Sequence, residues 1–336
     1  MYDRRHYRTD SPLHDSAKAL QRLRQAVVDG HAGNWQRSAG NLRDAWRADP
    51  ALHQAGQGLL ECAAHLVAAG HYAPPQPADE IAQGFISVVV CSIDPARLAR
   101  LRNDLERELT GEAWELVHID DAKSLCEGYA RGLARSHGEL IVLCHDDIGI
   151  LSHRFARRLR ERLAQHDLIG AAGSDRLTGP TWFWSGPPHT YSWVCQPHPS
   201  GWLLGLLGCA GPVIDNAQAL DGLFLAGRRD ALQQLGFDDV AFDGFHFYDL
   251  DLSWRAHRAG LRCAIALDLL LWHASGGGFQ ASWRCYAERF QQKFPELAPV
   301  QPAAPFRPGT LLCANADMIE PIYEWIAHWL REGSPV

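Results

Sequence analysis

The sequence lacks several features that would assign a chain to a protein class at once. It contains no Cys-x-x-Cys pair, and its nine cysteines are odd in number and widely spaced, which argues against a disulfide scaffold or a zinc ribbon. Basic residues are not in excess, because the 336-residue chain has a formal net charge of −7, and this argues against a broadly basic nucleic-acid binder. The same cysteine pattern favours the reducing cytoplasm, and the polar first ten residues predict no secretory signal peptide.

A long uninterrupted apolar run is also missing. The chain carries no Asp, Glu, Lys or Arg over residues 177–214, but prolines and glycines break this stretch repeatedly. A membrane helix needs about 20 mostly apolar residues in continuous helix, so we expect at most peripheral contact with a membrane. Hydrophobic residues make up 46% and charged residues 21% of the chain, which is ordinary globular composition and argues against disorder as the main state.

The N-terminal region is predicted to be helical. Apolar residues recur at helical spacing over residues 13–48 and predict two helices, and a third is expected over 51–69. The stretch 33–50 resembles the second half of a tetratricopeptide repeat, and the likeness covers about one and a half repeats. Because stacked neighbours supply the core of such repeats, this extension over 1–80 should pack on the rest of the chain, on a second copy or on a partner protein.

The pattern of apolar residues changes after a proline-rich linker at 73–80. Apolar runs at 85–93, 114–121 and 139–147 predict strands, and helices are expected between them over 95–109 and over 125–136, the latter capped by Ser124. This alternation predicts an α/β fold with a parallel, doubly wound sheet.

Further elements are expected towards the C-terminus: a helix over 153–166, a single strand that leads into a glycine-rich loop within 261–277, and a final helix over 317–331. The helix over 153–166 carries arginines on its predicted outer face. They indicate a solvated surface or, alternatively, attraction to phosphate or lipid headgroups; these arginines are Arg154, Arg157, Arg158 and Arg162.

Acidic and histidine side chains gather where the predicted strands end. Ligands of open α/β sheets bind beyond the carboxyl ends of the strands, so these residues are expected to share one site. No Lys or Arg is adjacent in sequence to the His145–Asp147 group, and unpaired acids there suggest a divalent cation, Mg²⁺ or Mn²⁺. The full set of strand-end acids and histidines is Asp120, Asp121, His145, Asp146, Asp147, Asp249, Asp251 and His273.

In this order and spacing, four segments resemble GT-A-fold glycosyltransferases of the family 2 type, over about residues 85–290. They are ELIVLCHDDI, with an HxD-like motif at His145–Asp147; the Gly222–Arg229 segment; YDLDL, which opens a helix at Tyr248; and LWHASGG, which contains His273. The resemblance implies a GT-A, Rossmann-like domain over 81–290 and a helical tail over 291–336 that packs on it. Departures from the family pattern are Tyr248 in place of Glu, Ala130 in place of Asn, and His145 as the first metal-motif residue.

The resemblance implies a role for each strand-end residue. Asp147, with His145 or Asp146, would hold Mn²⁺ or Mg²⁺ against the donor diphosphate, and His273 would be a further metal ligand or a phosphate contact. Asp249 would be the general base of an inverting transfer, and Asp251 is the second catalytic candidate. Asp251, two residues later near the helix start, would point to a different side and cap the helix or contact a neighbour.

Contacts to donor and acceptor are also expected. Ser92, Asp94, Asp120 and Asp146 are placed to bind the nucleotide sugar, with a turn or cap as the alternative role for the first three. The aromatic loop over 176–214 would form an acceptor lid or, alternatively, a locally packed cluster. Its acceptor candidates are Trp182, Trp184 and Trp193, together with Gly222, and Gly276–Gly278 would be a mobile loop over the phosphates or a plain turn.

The leading hypothesis is therefore a metal-assisted glycosyltransferase that uses a nucleotide sugar, with UDP as the default nucleotide. The acceptor expected for the family is a saccharide or glycoconjugate, such as a cell-surface polysaccharide. A nucleotidyltransferase is one alternative, but the sequence after the first strand, CSIDPARLAR, lacks the glycine-rich, basic phosphate loop that it would need. The other is a catalytically inactive, glycosyltransferase-like nucleotide-binding or scaffold protein.

Overall fold

The structure is a computed structural model that describes residues 15–72, 84–208, 211–276, 281–297 and 307–332. The predicted linker at 73–80 and the glycines 277 and 278 lie outside these residues. The described helices are α1 (Ser16–His31), α2 (Trp35–Ala48), α3 (His53–Ala68), α4 (Pro95–Glu108), α5 (Leu125–Arg135), α6 (Phe155–Gln165), α7 (Arg229–Leu235), α8 (Tyr248–Arg258), α9 (Ala281–Lys293) and α10 (Ile319–Glu332).

The described strands form three sheets. They are β1 (Ile86–Cys91), β2 (Trp114–Ile119), β3 (Leu140–Cys144), β4 (Ile148–Ile150), β5 (Leu168–Gly170), β6 (Ala172–Ser174), β7 (Thr190–Ser192), β8 (Cys195–His198), β9 (Gly201–Leu206), β10 (Val213–Asp215), β11 (Ala219–Leu220), β12 (Phe224–Arg228), β13 (Cys263–Ala266), β14 (Leu271–His273) and β15 (Gly309–Cys313).

The main sheet has the order β10-β13-β5-β12-β3-β1-β2. Strands β2, β1 and β3 run parallel, as the strand–helix alternation predicts. Strand β12 then pairs antiparallel with both β3 and β5, and β10 pairs antiparallel with β13. The predicted α/β class is confirmed, but the sheet is mixed rather than mostly parallel.

The first half of this sheet follows from local sequence. Strand β1 is buried on both faces, as its apolar run predicts. Ser124 caps α5 by accepting the Glu127 N–H at 3.1 Å. Helix α5 lies very close to β1, because a Cβ on Gly132 would come within 2.1 Å of Val89 Cγ1.

A second sheet, of order β15-β9-β8-β14-β4, was not predicted. The 176–214 region, expected to be a loop, supplies β8 and β9 to it, so the prediction of a loop is wrong for this part of the segment. The single strand expected over 261–277 is also wrong, because the chain turns between β13 in the main sheet and β14 in the second sheet. This change of sheet brings His273 beside β4, which follows Asp147.

Helix α6 is less solvated than its arginines suggested. Arg158 is 9% exposed and pairs with Glu320 at 2.8 Å and with Glu324, while Arg162 pairs with Asp268 at 2.5 Å. For these two arginines the prediction of a solvated, phosphate- or lipid-attracting face is wrong, because nearby carboxylates neutralise their charges. No helix in the described part of the chain has both the length and the apolar character that a membrane crossing requires.

The N-terminal helices pack on the C-terminal elements of the same chain. Trp329 of α10 donates its indole N–H to the Ala39 carbonyl at 3.3 Å. The Thr310 N–H of β15 donates to Gln57 Oε1 at 2.8 Å, and Arg47 donates to the Leu330 carbonyl at 2.5 Å. Helices α2 and α3 therefore cover α10 and the β15 edge of the second sheet.

Candidate active site

A cluster of two histidines and one aspartate lies beyond the end of β3. Among the described residues, His145, Asp147 and His273 each offer a ligand atom within 4.8 Å of the others. Asp147 Oδ1 lies 3.2 Å from His273 Nε2 and 3.9 Å from His145 Nδ1, and the two imidazole nitrogens are 3.4 Å apart. His273 reaches the cluster because β14 pairs antiparallel with β4, which places it opposite Ile148.

The donor set of this cluster fits a divalent cation. Two imidazole nitrogens and a carboxylate suit Mn²⁺ better than Mg²⁺, which prefers oxygen ligands. Burial and the neighbouring His273 lower the pKa of His145. Burial alone would raise the pKa of Asp147, but hydrogen bonds with His273 and Ser275 and the charges of both histidines hold it well below its ordinary value. The neutral histidine and the anionic carboxylate are the forms that bind metal.

The other side of His145 contacts the start of α8. His145 Nε2 lies 2.8 Å from the Tyr248 hydroxyl, which in turn donates to the Gly222 carbonyl at 2.7 Å. Tyr248 is 3% exposed, so this contact is shielded from water. Gly222 has no room for a side chain, because a Cβ there would lie 2.1 Å from Tyr248 Oη.

Asp249 occupies the opposite side of the same Gly222 peptide. Its Oδ2 accepts the Gly222 N–H at 2.9 Å. Burial raises the pKa of Asp249 to about 7, and the neighbouring negative charge of Asp221 contributes. The Gly222 peptide group therefore links two parts of the site. Its N–H contacts the buried carboxyl of Asp249, whose pKa is raised, and its carbonyl contacts Tyr248, which in turn contacts His145.

Asp251 has a different environment from Asp249. It is 1% exposed, and its carboxylate pairs with Arg255 at 2.8 Å and with Lys293 at 2.5 Å. The two aspartates point to different sides of α8, as their spacing predicted. Because two cations already hold Asp251, its contacts support a structural role rather than the catalytic one that was also considered.

The predicted nucleotide ligands lie in three different environments. Ser92 Oγ donates to Asp146 Oδ2 at 2.7 Å, and Arg97 lies 3.5 Å from the other Asp146 oxygen, so Asp146 faces the β1 end rather than the histidine cluster. Asp94 caps α4 by accepting the N–H groups of Ala96 and Arg97, which is its alternative role. Asp120 is exposed at the end of β2.

The aromatic residues predicted to bind the acceptor differ in their exposure to solvent. Trp193 is 3% exposed and packs edge-on against Tyr323, with ring centroids 5.0 Å apart, so it presents no open face to a sugar. Trp182 is 5% exposed and donates its indole N–H to Asp221 Oδ2 at 3.0 Å. Trp184 is half-buried, while Phe183 stacks on Trp182 and is 42% exposed.

Two residues of the site were not singled out from the sequence. Asp221 accepts from Trp182 and from the Leu223 N–H at 2.9 Å, and its charge acts on Asp249. Tyr248 had been noted only as a departure from a family pattern. Position in the sequence could have identified both residues, because Asp221 directly precedes Gly222 and Tyr248 directly precedes Asp249, and both of these neighbours are predicted site residues.

The structure defines an α/β protein whose candidate site lies beyond the strand ends of a mixed sheet, where acids and histidines from β3, β14 and α8 converge. The chain belongs to the glycosyltransferase-like family, which matches it over residues 87–295. The predicted glycosyltransferase class is thereby confirmed. No curated protein matches the chain significantly.

Two solved glycosyltransferase structures are similar to the chain at low identity. One is the mannosyltransferase PcManGT from Pyrobaculum calidifontis in complex with GDP-Man and Mn²⁺, with 15% identity, a TM-score of 0.40 and 81% of each chain covered. The other is GalNAc-T7 with UDP, GalNAc and Mn²⁺, with 9% identity and a TM-score of 0.41; 76% of this chain and 57% of that chain are covered.

Proposed function

We propose that this protein is an inverting, metal-dependent glycosyltransferase that moves a sugar from a nucleotide-sugar donor to a hydroxyl of an acceptor. One observation carries the proposal: the Gly222 peptide contacts Asp249 through its N–H and Tyr248, the neighbour of His145, through its carbonyl. A group able to take a proton and a cluster able to bind a cation are thus held in fixed relation. A metal-assisted inverting transfer uses both.

Asp249 is the proposed general base. Inversion requires a carboxylate to accept the proton of the acceptor hydroxyl as its oxygen attacks the anomeric carbon from the face opposite the leaving group. A pKa near the working pH suits this task, and burial raises the pKa of Asp249 to about 7. Its Oδ2 is held by the Gly222 N–H at 2.9 Å, which fixes the orientation of the carboxyl group.

His145, Asp147 and His273 would hold the cation, and the donor set favours Mn²⁺ over Mg²⁺. The cation supplies neutralisation of the charge that builds on the departing nucleoside diphosphate. Asp146 lies outside this set in the proposal, since it is bound by Ser92 and faces Arg97. Removal of Asp147 should abolish cation binding, because it is the only anionic member of the cluster.

The nucleotide is proposed to lie along the ends of β1 and β2, where Ser92, Asp146 and the exposed Asp120 offer hydrogen-bonding groups. UDP remains the favoured nucleotide. The acceptor is proposed to be a saccharide or glycoconjugate, and Phe183 and Trp184 supply the aromatic surface for it, because Trp182 and Trp193 are buried. Gly222 acts in this proposal through its backbone.

We further propose that residues 81–290 form the catalytic domain, with 291–336 as a tail that packs on it. The helices of the 1–80 extension are proposed to support that tail, since α2 and α3 contact α10 and β15. Their remaining outer surface is the proposed place for a second copy or a partner protein. A cytoplasmic location is part of the same proposal.

The experiment that tests the donor site is a thermal-shift series with UDP, dTDP and GDP, each with and without Mn²⁺. Binding to the folded state raises the melting temperature by mass action. We expect one nucleotide to give a large, Mn²⁺-dependent shift that Asp147→Ala abolishes and Asp251→Asn retains. The absence of a shift with every nucleotide would contradict the proposed donor site.

Product stereochemistry tests the mechanism once a donor is found. Proton NMR of the product should show the anomeric configuration opposite to that of the donor. Retained configuration would overturn the assignment of Asp249 as base. Nucleotide binding without transfer or donor hydrolysis would instead favour the inactive, scaffold alternative.

A further inference from the structure

We propose that Tyr248 is a positioning residue that fixes the tautomer of His145 and so presents a bare nitrogen to the cation. This inference rests on the proposed cation site and adds to it a fourth residue that does not touch the cation. It starts from the three-way contact in which the Tyr248 hydroxyl lies 2.7 Å from the Gly222 carbonyl and 2.8 Å from His145 Nε2.

The hydrogen positions around the Tyr248 hydroxyl decide the tautomer of His145. A carbonyl oxygen can only accept, so the single proton of the Tyr248 hydroxyl must point to Gly222; otherwise two oxygens would face each other at 2.7 Å with no proton between them. The hydroxyl oxygen is then an acceptor towards its other two neighbours, His145 and the Tyr129 hydroxyl, and the Tyr129 hydroxyl has a hydrogen of its own to donate. His145 Nε2 must therefore carry its hydrogen, and in a neutral imidazole this leaves Nδ1 with a free lone pair.

That lone pair points into the cluster. His145 Nδ1 lies 3.4 Å from His273 Nε2 and 3.9 Å from Asp147 Oδ1. His273 Nε2, by contrast, lies 3.2 Å from Asp147 Oδ1 and 3.1 Å from the Ser275 hydroxyl, and both can accept a hydrogen from it. His145 is thus preset as a ligand, whereas the tautomer of His273 is free to change when a cation binds.

Because Tyr248 is buried, water cannot easily take the place of its hydroxyl beside His145. Tyr248 is 3% exposed, so water does not reach the contact freely. Gly222 allows it to form, because a Cβ there would lie 2.1 Å from the Tyr248 hydroxyl oxygen and 3.0 Å from Asp249 Cβ. Removing the hydroxyl would leave His145 Nε2–H without its acceptor and would favour the other tautomer, in which the ligand nitrogen carries the hydrogen.

The first test is Mn²⁺ titration of the purified full-length protein, without substrate, by calorimetry and by the loss of the free Mn²⁺ EPR signal. Tyr248→Phe should weaken Mn²⁺ binding by about 10- to 100-fold, the typical effect of losing an outer partner of a metal-bound histidine. The matched control is Tyr191→Phe, which also removes a buried tyrosine hydroxyl, one bonded to Asp175 at 3.2 Å. It should bind Mn²⁺ as the wild-type protein does.

The second test needs no Tyr248 variant to fold. Long-range ¹H–¹⁵N correlation spectra of the ¹⁵N-histidine-labelled, metal-free wild-type protein distinguish the two tautomers. The His145 signals are assigned as those lost in His145→Gln. We expect hydrogen on Nε2; hydrogen on Nδ1 would overturn the proposal, and in a folded Tyr248→Phe protein a shift towards Nδ1 would support it.

The outcomes distinguish failure of the proposed cation site from failure of the proposed role of Tyr248. Wild-type protein that binds no Mn²⁺, or binds it equally well with Asp147→Ala, contradicts the proposed cation site itself. Wild-type protein that binds Mn²⁺ through Asp147, with Tyr248→Phe equal to wild type in affinity and in the tautomer of His145, overturns only the role of Tyr248.

Discussion

Asp249→Asn should make this protein more stable at neutral and alkaline pH while making it a much poorer enzyme. The folded protein favours the protonated carboxyl, because burial and the charge of Asp221 raise the pKa of Asp249 from 3.8 to about 7. The stability that comes from the protonated form is fully present below pH 3.8 and is lost as the pH rises through about 7. Asparagine is neutral throughout, and its amide oxygen can still accept the Gly222 N–H.

The magnitude follows from the pKa. Each pKa unit corresponds to about 1.4 kcal/mol, so the free energy of unfolding of the wild-type protein should fall by about 3 kcal/mol relative to Asp249→Asn between pH 5 and pH 8. Turnover should fall by about 10²- to 10⁴-fold in the same variant, the usual range for a general base. The assay is urea unfolding followed by tryptophan fluorescence at several pH values, beside initial rates of transfer.

Asp251→Asn is the matched control, because it removes the other aspartate at the start of α8. It leaves Arg255 and Lys293 without their buried carboxylate, so it should destabilise the protein at both pH values by about 3–5 kcal/mol. A stability difference between Asp249→Asn and wild type that does not change with pH would refute the raised pKa. Turnover above about a tenth of wild type in Asp249→Asn would refute its role as base.

Four further predictions follow from the same contacts. Asp221→Asn should lower the pKa of Asp249, because a negative charge is lost, and should move the acid limb of the kcat/KM profile to lower pH; an unchanged limb would count against the coupling. Gly222→Ala should cost about 1–3 kcal/mol of stability and reduce Mn²⁺ affinity, measured by melting and calorimetry, because its Cβ meets Tyr248. Arg158→Met should cost about 3–5 kcal/mol in urea unfolding with Mn²⁺ affinity retained, since two carboxylates lose their partner. Deletion of residues 1–80 should reduce solubility by uncovering α10, and a soluble, active fragment 81–336 would instead show an independent module.

Much of the fold was predictable because its causes are local. The apolar run of β1, the Ser124 cap of α5 and the aspartates near the start of α8 each lie within one short segment, and burial period and capping chemistry are properties of such segments. The strand-end position of His145 and Asp147 followed from the same reasoning. For these elements, the boundaries in the structure agree with the boundaries predicted from the sequence to within a few residues.

The failures have a common physical origin in long-range pairing. The outer face of α6 was predicted as solvated because Glu320 and Glu324, which neutralise Arg158, lie more than 160 residues away in the chain. Trp193 could not be recognised as a core residue without Tyr323. The single strand predicted over 261–277 turns into another sheet because its second half finds partners in β4 and β8.

The α/β class, the glycosyltransferase resemblance and the residue types available for a cation and a base can be read from the sequence alone. Which of these residues meet depends on the tertiary structure. His145 and His273 are 128 residues apart and approach to 3.4 Å because β14 pairs with β4. The Gly222 peptide comes between Asp249 and Tyr248 because α8 packs against it where only glycine fits. Side-chain identity is local, but the distances that give it chemical meaning depend on strand pairing and close packing across the whole domain.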